Sequence, residues 1–181
     1  MPGSISVVAY RPEWPHLFDA ERSELERLLA RWLEGGIHHI GSTAVPGLAA
    51  KPIIDMLGGV RDLEEARVAF EPLRALGYEY REHRPEAHLF VKERFGIHLT
   101  EPGSDLWRER LAFRDALRAN PELAARYAEW KRIHASRGRS LTPYTADKLP
   151  FVREMLAAEG IAVKPDEERL VRAALAAKRR P

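Results

Sequence analysis

The stretch Pro52-Ile53-Ile54-Asp55-Met56-Leu57-Gly58-Gly59-Val60 constrains the fold more than any other part of the chain. It is largely apolar at successive positions and reads as a strand. A strand of that composition has packed elements over both faces, so the chain must hold a sheet with cover on each side. One carboxylate, Asp55, interrupts the run. A carboxylate in a buried strand is costly unless it is paired or holds a cation.

Other signals supply the surrounding layers. Phe18, Leu25, Leu28, Leu29, Trp32 and Leu33 recur near helical spacing across residues 12–34, and Gly35-Gly36 is expected to end that helix. Residues 37–40 form a short strand. Asp62, with Glu65 three residues on, spells a capping box for a helix that Gly77 stops. Residues 78–81, 87–92 and 95–100 read as strands. The chain then turns helical: 105–118 after Ser104, 122 to about 136 after Asn120-Pro121, and a helix through 158 after Thr142-Pro143. The expected fold class is α+β, a small mixed sheet flanked by helices, with a helical C-terminal half. Residues 1–160 are expected to form one domain, and 161–181 a C-terminal helix or flexible basic arm.

A length of 181 residues suits one ordinary domain. The absence of cysteine excludes disulfides, thiolate metal sites and thiol nucleophiles, and fits a cytoplasmic setting. No apolar run approaches the ~20 residues that cross a bilayer. Met1-Pro2-Gly3-Ser4 lacks a basic stretch followed by an apolar core, so no secretory signal is read. The 29 basic and 27 acidic residues nearly balance, which argues against a dedicated nucleic-acid binder. The late basic clusters, residues 132–139 and 178–180, read as a solvated helix face and a tail.

The residues from Gly41 to Asp55 carry the chemistry. Gly41 lets backbone approach a ligand closely. Loop N–H groups and the hydroxyls of Ser42 and Thr43 can donate to phosphate oxygens, and Lys51 supplies a point charge. A second reading stays open: a tight Ser/Thr turn, with Asp55 bonded to neighbouring backbone. There is no Walker A lysine loop and no Rossmann fingerprint, since Gly58-Gly59 lacks the third glycine and the helix start.

The segment Ile40-Gly41-Ser42-Thr43-Ala44-Val45-Pro46-Gly47-Leu48-Ala49-Ala50-Lys51-Pro52-Ile53-Ile54-Asp55 closely resembles the signature of the GrpB family. Tyr10 and Trp14 match the family's opening pattern. His98 followed by Glu101-Pro102-Gly103-Ser104, then Phe113-Arg114-Asp115, and finally Tyr144, Lys148 and Phe151 match later ones. The resemblance spans about residues 7–155. It implies a fold similar to the nucleotidyltransferase superfamily, in which a Gly-Ser turn binds nucleotide phosphates and downstream strands carry carboxylates holding divalent metal.

Carried over to this chain, the resemblance implies that Gly41, Ser42, Thr43 and Lys51 hold a nucleoside triphosphate. Asp55 would bind magnesium, and His98 would act as ligand or base. Glu101 would complete the shell, and Arg114 and Lys148 would reach the nucleotide or an acidic substrate. For those last two the alternative is a salt bridge with Asp115 or Asp147. The implied reaction is nucleotidyl transfer to an unknown acceptor. The alternative is a catalytically depleted nucleotide- or metabolite-binding module acting as a partner or regulator. Its motive is a departure from the superfamily pattern: Leu57 stands where a second carboxylate is usual, and Gly96 where many relatives have histidine. Family members occur alone or fused to a coenzyme A biosynthetic kinase domain, which implies a link to that pathway.

The remaining candidates are read locally. His38 and His39 are adjacent on a strand and face opposite sides, so they do not share an ion. His83 and His88 lack supporting spacing. Trp14 and Tyr144 read as packing residues, and Trp107 and Trp130 as helix core.

Overall fold

The computed structural model describes residues 7–135, 141–158 and 160, with the backbone alone at 134, 135 and 141–149. Helix α1 (Trp14–Leu29) forms because Trp14, Phe18, Leu25 and Leu29 fall on one apolar stripe, and all are buried. It stops short of the expected residue 34. Leu33 and Glu34 instead open strand β1 (Leu33–Ile40). Gly35-Gly36 is therefore not a helix stop. The pairing of β1 with β2 (Ile54–Val60) shifts register between Leu33 and Ile37, so both glycines sit in a bulge. The bulged Glu34 carbonyl occupies the space a Cβ on Gly59 would need, which gives Gly59 a packing reason.

Asp62 caps the next segment: its Oδ1 accepts from the Glu65 N–H at 2.8 Å. The chain then runs through a 3-10 turn (Glu65–Ala69) into a short helix α2 (Phe70–Ala75). Strands β3 (Glu79–Arg81), β4 (His88–Lys92) and β5 (Phe95–Thr100) fall within a residue of their expected bounds. They complete a five-stranded mixed sheet of order β1-β2-β5-β4-β3, in which only β2 and β5 run parallel.

The two faces of the sheet have different cover. Ile37, Ile54, Met56, Phe90, Ile97 and Leu99 join Trp14, Phe18, Leu25, Leu29 and Leu73 in the main core. On the other face, Ile40 and Leu57 pack with Ala87 and Leu106. The two-residue period of a strand puts Asp55, Gly96 and His98 on that second face. The apolar run of β2 is thus buried on both sides, with Ile54, Met56, Leu57 and Val60 fully enclosed.

Helices α3 (Asp105–Ala119), α4 (Pro121–Ala135) and α5 (Leu141–Ala158) come next. The caps of α3 and α4 are the ones the sequence spells. Ser104 Oγ accepts from the Trp107 N–H at 3.2 Å, and Asn120 Oδ1 from the Leu123 N–H at 3.1 Å. The three helices build a second core from Phe113, Leu117, Leu123, Tyr127, Met155 and Leu156. Val45 and Leu48 are seated in it, so the loop after β1 is pinned between the sheet and the helical half. The fold is α+β, as expected. Residues 161–181 lie outside the described residues. Among the described residues, no helix is long and apolar enough to cross a membrane.

Candidate functional site

Strand β1 ends at Gly41, whose backbone (φ +73°, ψ −170°) lies in a region essentially closed to other residues. Space gives a second reason for glycine there. A Cβ on Gly41 would stand 2.9 Å from Asp55 Oδ2, and one on Gly96 would stand 3.2 Å from Asp55 Oδ1. Asp55 pairs with Ile40 on one side and with Gly96 on the other, and its carboxylate emerges between the backbones of Gly41 and Gly96. His98 lies opposite Leu57, two residues further along β5 on the same face.

These residues line a cavity of about 360 Å³ between the sheet and the helical half. Gly41, Ser42, Thr43, Lys51, Asp55 and His98 all contribute to its wall. So do three residues from the helices that the sequence pattern alone did not single out for the site: Arg110 on α3, and Tyr127 and Lys131 on α4. Their signal was present. Leu106, Phe113 and Leu117 form the apolar stripe of α3, and Arg110 occupies a position in that stripe. Lys131 likewise falls four residues after Tyr127 on the buried face of α4, where it is 3% exposed. A charge within an apolar stripe is the pattern to look for.

The helical half also fixes the loop. Arg114 Nη1 donates to the His39 carbonyl at 3.3 Å, and Arg118 Nε to the Ala44 carbonyl at 2.9 Å. Lys131 Nζ donates to the Ala49 carbonyl and lies 4.6 Å from the centre of the Tyr127 ring. The hydroxyls of Tyr127 and Ser42 share a hydrogen bond. Burial raises the Tyr127 pKa, so this phenol stays protonated.

Three of the expected site residues have engagements of their own. Thr43 touches the cavity, but its hydroxyl is engaged elsewhere: it donates to the Ile53 carbonyl at 2.9 Å and bonds His39 Nε2 at 3.0 Å. Arg114 is not on the cavity wall. It forms the ion pair with Asp115 (2.7 Å) that was its alternative reading. Glu101 lies beyond the far end of β5 and accepts from the Leu63 N–H at 3.3 Å. At the ordinary strand rise it stands roughly 15 Å along the sheet from Asp55, too far to share an ion. The side chains of Lys148 and Tyr144 lie outside the described residues. His38 and His39 do face opposite sides, His38 edge-on to Trp107 and His39 stacked on Phe18.

Electrostatics set the state of the histidines. His98 is held well below the ordinary imidazole pKa, by burial first and then by the charges of Arg110, His83 and Arg84. It is therefore neutral. Its buried Nδ1 has no hydrogen-bond partner among the described residues. His39 is lowered to about 4, by burial and then by Arg118 and Arg114, with Asp19 opposing. Between pH 6.5 and about 4 the unfolded chain takes up a proton at His39 that the folded chain refuses. Stability is accordingly full above pH 6.5 and declines as pH falls through that window, by on the order of 3 kcal/mol. An NMR titration of the His39 ring is expected to show a midpoint near pH 4, and a midpoint near 6.5 would contradict the burial argument.

Metal capacity depends on the donor set. Among the described residues no cluster of three or more His, Asp or Glu side chains is placed to hold an ion. Among the described residues, the cavity wall includes one carboxylate, Asp55, and one neutral imidazole. That set fits a single magnesium that draws its other oxygens from a bound nucleotide, and it does not fit two.

The fold is that of a recognised family. Residues 4–158 match the family described as GrpB protein, so the chain belongs to the GrpB family. It is 33% identical over 169 residues to the glutamate-rich protein GrpB of Alkalihalophilus pseudofirmus, covering 85% of this chain and 95% of that one. The crystal structure of the conserved protein GrpB from Enterococcus faecalis superposes with a TM-score of 0.76 at 30% identity, over 83% of this chain and 94% of that one. Other relatives are longer. The chain spans 45% of YqkA of Bacillus subtilis, at 33% identity over 82% of its own length. It spans 44% of a Mycolicibacterium paratuberculosis protein named dephospho-CoA kinase, at 30% identity over 83% of its own length.

Proposed function

We propose that the cavity binds a nucleoside triphosphate with magnesium and that the protein transfers a nucleotidyl group from it to an acceptor. The reading rests on one observation: Gly41, Ser42, Asp55 and His98, distant in sequence, line a single cavity with three cationic side chains. Backbone and hydroxyl donors of the Gly41-Ser42 turn would hold phosphate oxygens. Tyr127 orients Ser42, while Arg118 and Lys131 keep the turn's backbone in place. Held by Asp55 and by the nucleotide's own oxygens, magnesium would supply charge stabilisation at the reacting phosphoryl group. His98, being neutral, would hydrogen-bond a phosphate or acceptor oxygen, because imidazole suits magnesium less well than oxygen does. The bond that forms joins the acceptor to the α-phosphorus, and the bond that breaks releases pyrophosphate.

The alternative, a binding module without turnover, is favoured by the presence of Leu57 where a second carboxylate would stand. A cytoplasmic setting accords with either reading. The name of the longer dephospho-CoA kinase relative makes dephospho-coenzyme A one acceptor to include in assays.

Binding is tested by thermal shift with each of the four nucleoside triphosphates and magnesium at millimolar levels. At least one is expected to raise Tm, since a ligand that binds only the folded state must stabilise it. No shift with any of them would sink the transferase reading and leave of the alternative only a module for another metabolite.

A further inference from the structure

The sheet has two edges, and they differ. At one, β1 carries the bulge around Gly35-Gly36, which interrupts the ladder that a new strand would need. At the other, β3 is regular. Glu79, Tyr80 and Arg81 pair in unbroken register with Val91, Phe90 and Leu89 of β4, and among the described residues no strand lies on the outer side of β3. All three residues are exposed. An open recess of about 520 Å³, lined by Arg74, Gly77, Tyr78, Glu79 and Tyr80, lies beside this edge.

The two-residue period sorts the side chains of β3. Tyr80 shares a face with Phe90, and its ring packs with Phe70 at 5.1 Å and with Phe90 at 5.5 Å. Glu79 and Arg81 lie together on the other face, 2.6 Å apart. Charges on an edge strand ordinarily repel foreign strands. This pair is also complementary to itself. A twofold axis normal to the sheet keeps each face on its own side, so β3 meets a second β3 antiparallel only with a residue at the axis. An axis at Glu79 sets glutamate against glutamate, and one at Arg81 sets arginine against arginine. With the axis at Tyr80, Glu79 of each copy stands opposite Arg81 of the other.

We propose that β3 is a self-association edge: a second copy of this chain adds its own β3 antiparallel, with the twofold axis at Tyr80 and Glu79 facing Arg81 on both sides of it. The ion pair already made within each strand then joins its counterpart in one alternating network, and the two sheets become continuous. The occupant is a second copy because the charge order of β3 fits its own reversal, while a foreign strand with like charges at these positions is turned away. Such isologous pairing is also the commonest way for soluble chains to associate. Among the described residues, those lining the candidate site include none from β3, so the inference stands apart from the nucleotide reading.

The test is sedimentation equilibrium of the full chain over a dilution series, beside circular dichroism of each variant. The wild-type chain is expected to form a dimer with a dissociation constant on the order of 10 μM, as suits a small interface. Glu79→Arg and Arg81→Glu each set like charges across the axis and are expected to weaken the dimer at least about tenfold. The double variant Glu79→Arg/Arg81→Glu reverses every pair and keeps opposite charges facing, so it is expected to restore the dimer to within about threefold of wild type. A wild-type chain that stays monomeric at about 0.5 mM overturns the inference. So does a dimer that both single changes leave intact, or one that the double change does not restore. Should a single variant fail to fold, amide hydrogen exchange of the wild-type chain decides. Slower exchange at Glu79, Tyr80 or Arg81 in concentrated than in dilute protein supports the edge, and exchange independent of concentration at all three overturns it.

Discussion

On the proposed function, Asp55→Asn is expected to lower nucleotidyl transfer by about a thousandfold, equivalent to ~4 kcal/mol in the barrier, while leaving the fold intact. Asparagine has nearly the shape of aspartate, so the narrow space between the Gly41 and Gly96 backbones still accepts it. What would be lost is the negative charge proposed to hold the cation at the reacting phosphoryl group. The measurement is pyrophosphate release under single-turnover conditions, beside the melting temperature of the same variant. Full transfer activity in a folded Asp55→Asn protein would remove Asp55 from the chemistry.

Gly41→Ala produces the second large effect, and it acts on both stability and site. The conformation at Gly41 costs an L residue roughly 1–3 kcal/mol. The new Cβ must also displace the Asp55 carboxylate, which lies 2.9 Å from it. Denaturant unfolding is expected to show a loss of about 3 kcal/mol, with transfer falling toward the level of Asp55→Asn. Gly47→Ala is the control. Its φ is also positive (+77°), but nothing lies within 4 Å of the added Cβ. It is expected to lose stability alone and to keep its activity. Equal activity losses at both positions would point to backbone strain rather than to contact with Asp55.

Much of the fold could be read locally. Asp62, Ser104 and Asn120 cap where they were expected to, because a cap is a contact between residues three apart. The enclosed strand at β2 was legible from its own composition. Gly35-Gly36 misled because a helix end and a strand bulge share the same residues. Which of them forms depends on β2, where Gly59 leaves room for the bulge.

The site divides in the same way. Gly41, Ser42, Lys51 and Asp55 belong to one segment and were legible as a unit. Glu101 was not separable from His98 by sequence, since three residues of strand look short in one dimension and are about 10 Å in space. Arg114 drew notice because it sits beside Phe113 in a family motif, yet its partners are Asp115 and a carbonyl. Arg110, one turn earlier, reaches the cavity. Only the packing of α3 on the second sheet face distinguishes the two arginines. Lys131 depends on still more distant geometry, the seating of α4 against the loop through Ala49.

The central claim is that the nucleotide occupies the cavity between the sheet and the helical half. NMR titration of the 15N-labelled chain with a nucleoside triphosphate tests it most directly. The amides of Gly41 and Ser42 and the side-chain Nε of Arg110 are predicted to shift together and saturate with one dissociation constant, with Val68, exposed on the far side of the sheet, unmoved. Saturating shifts confined to residues away from Gly41, Ser42 and Arg110, or no shifts at millimolar nucleotide, would contradict it.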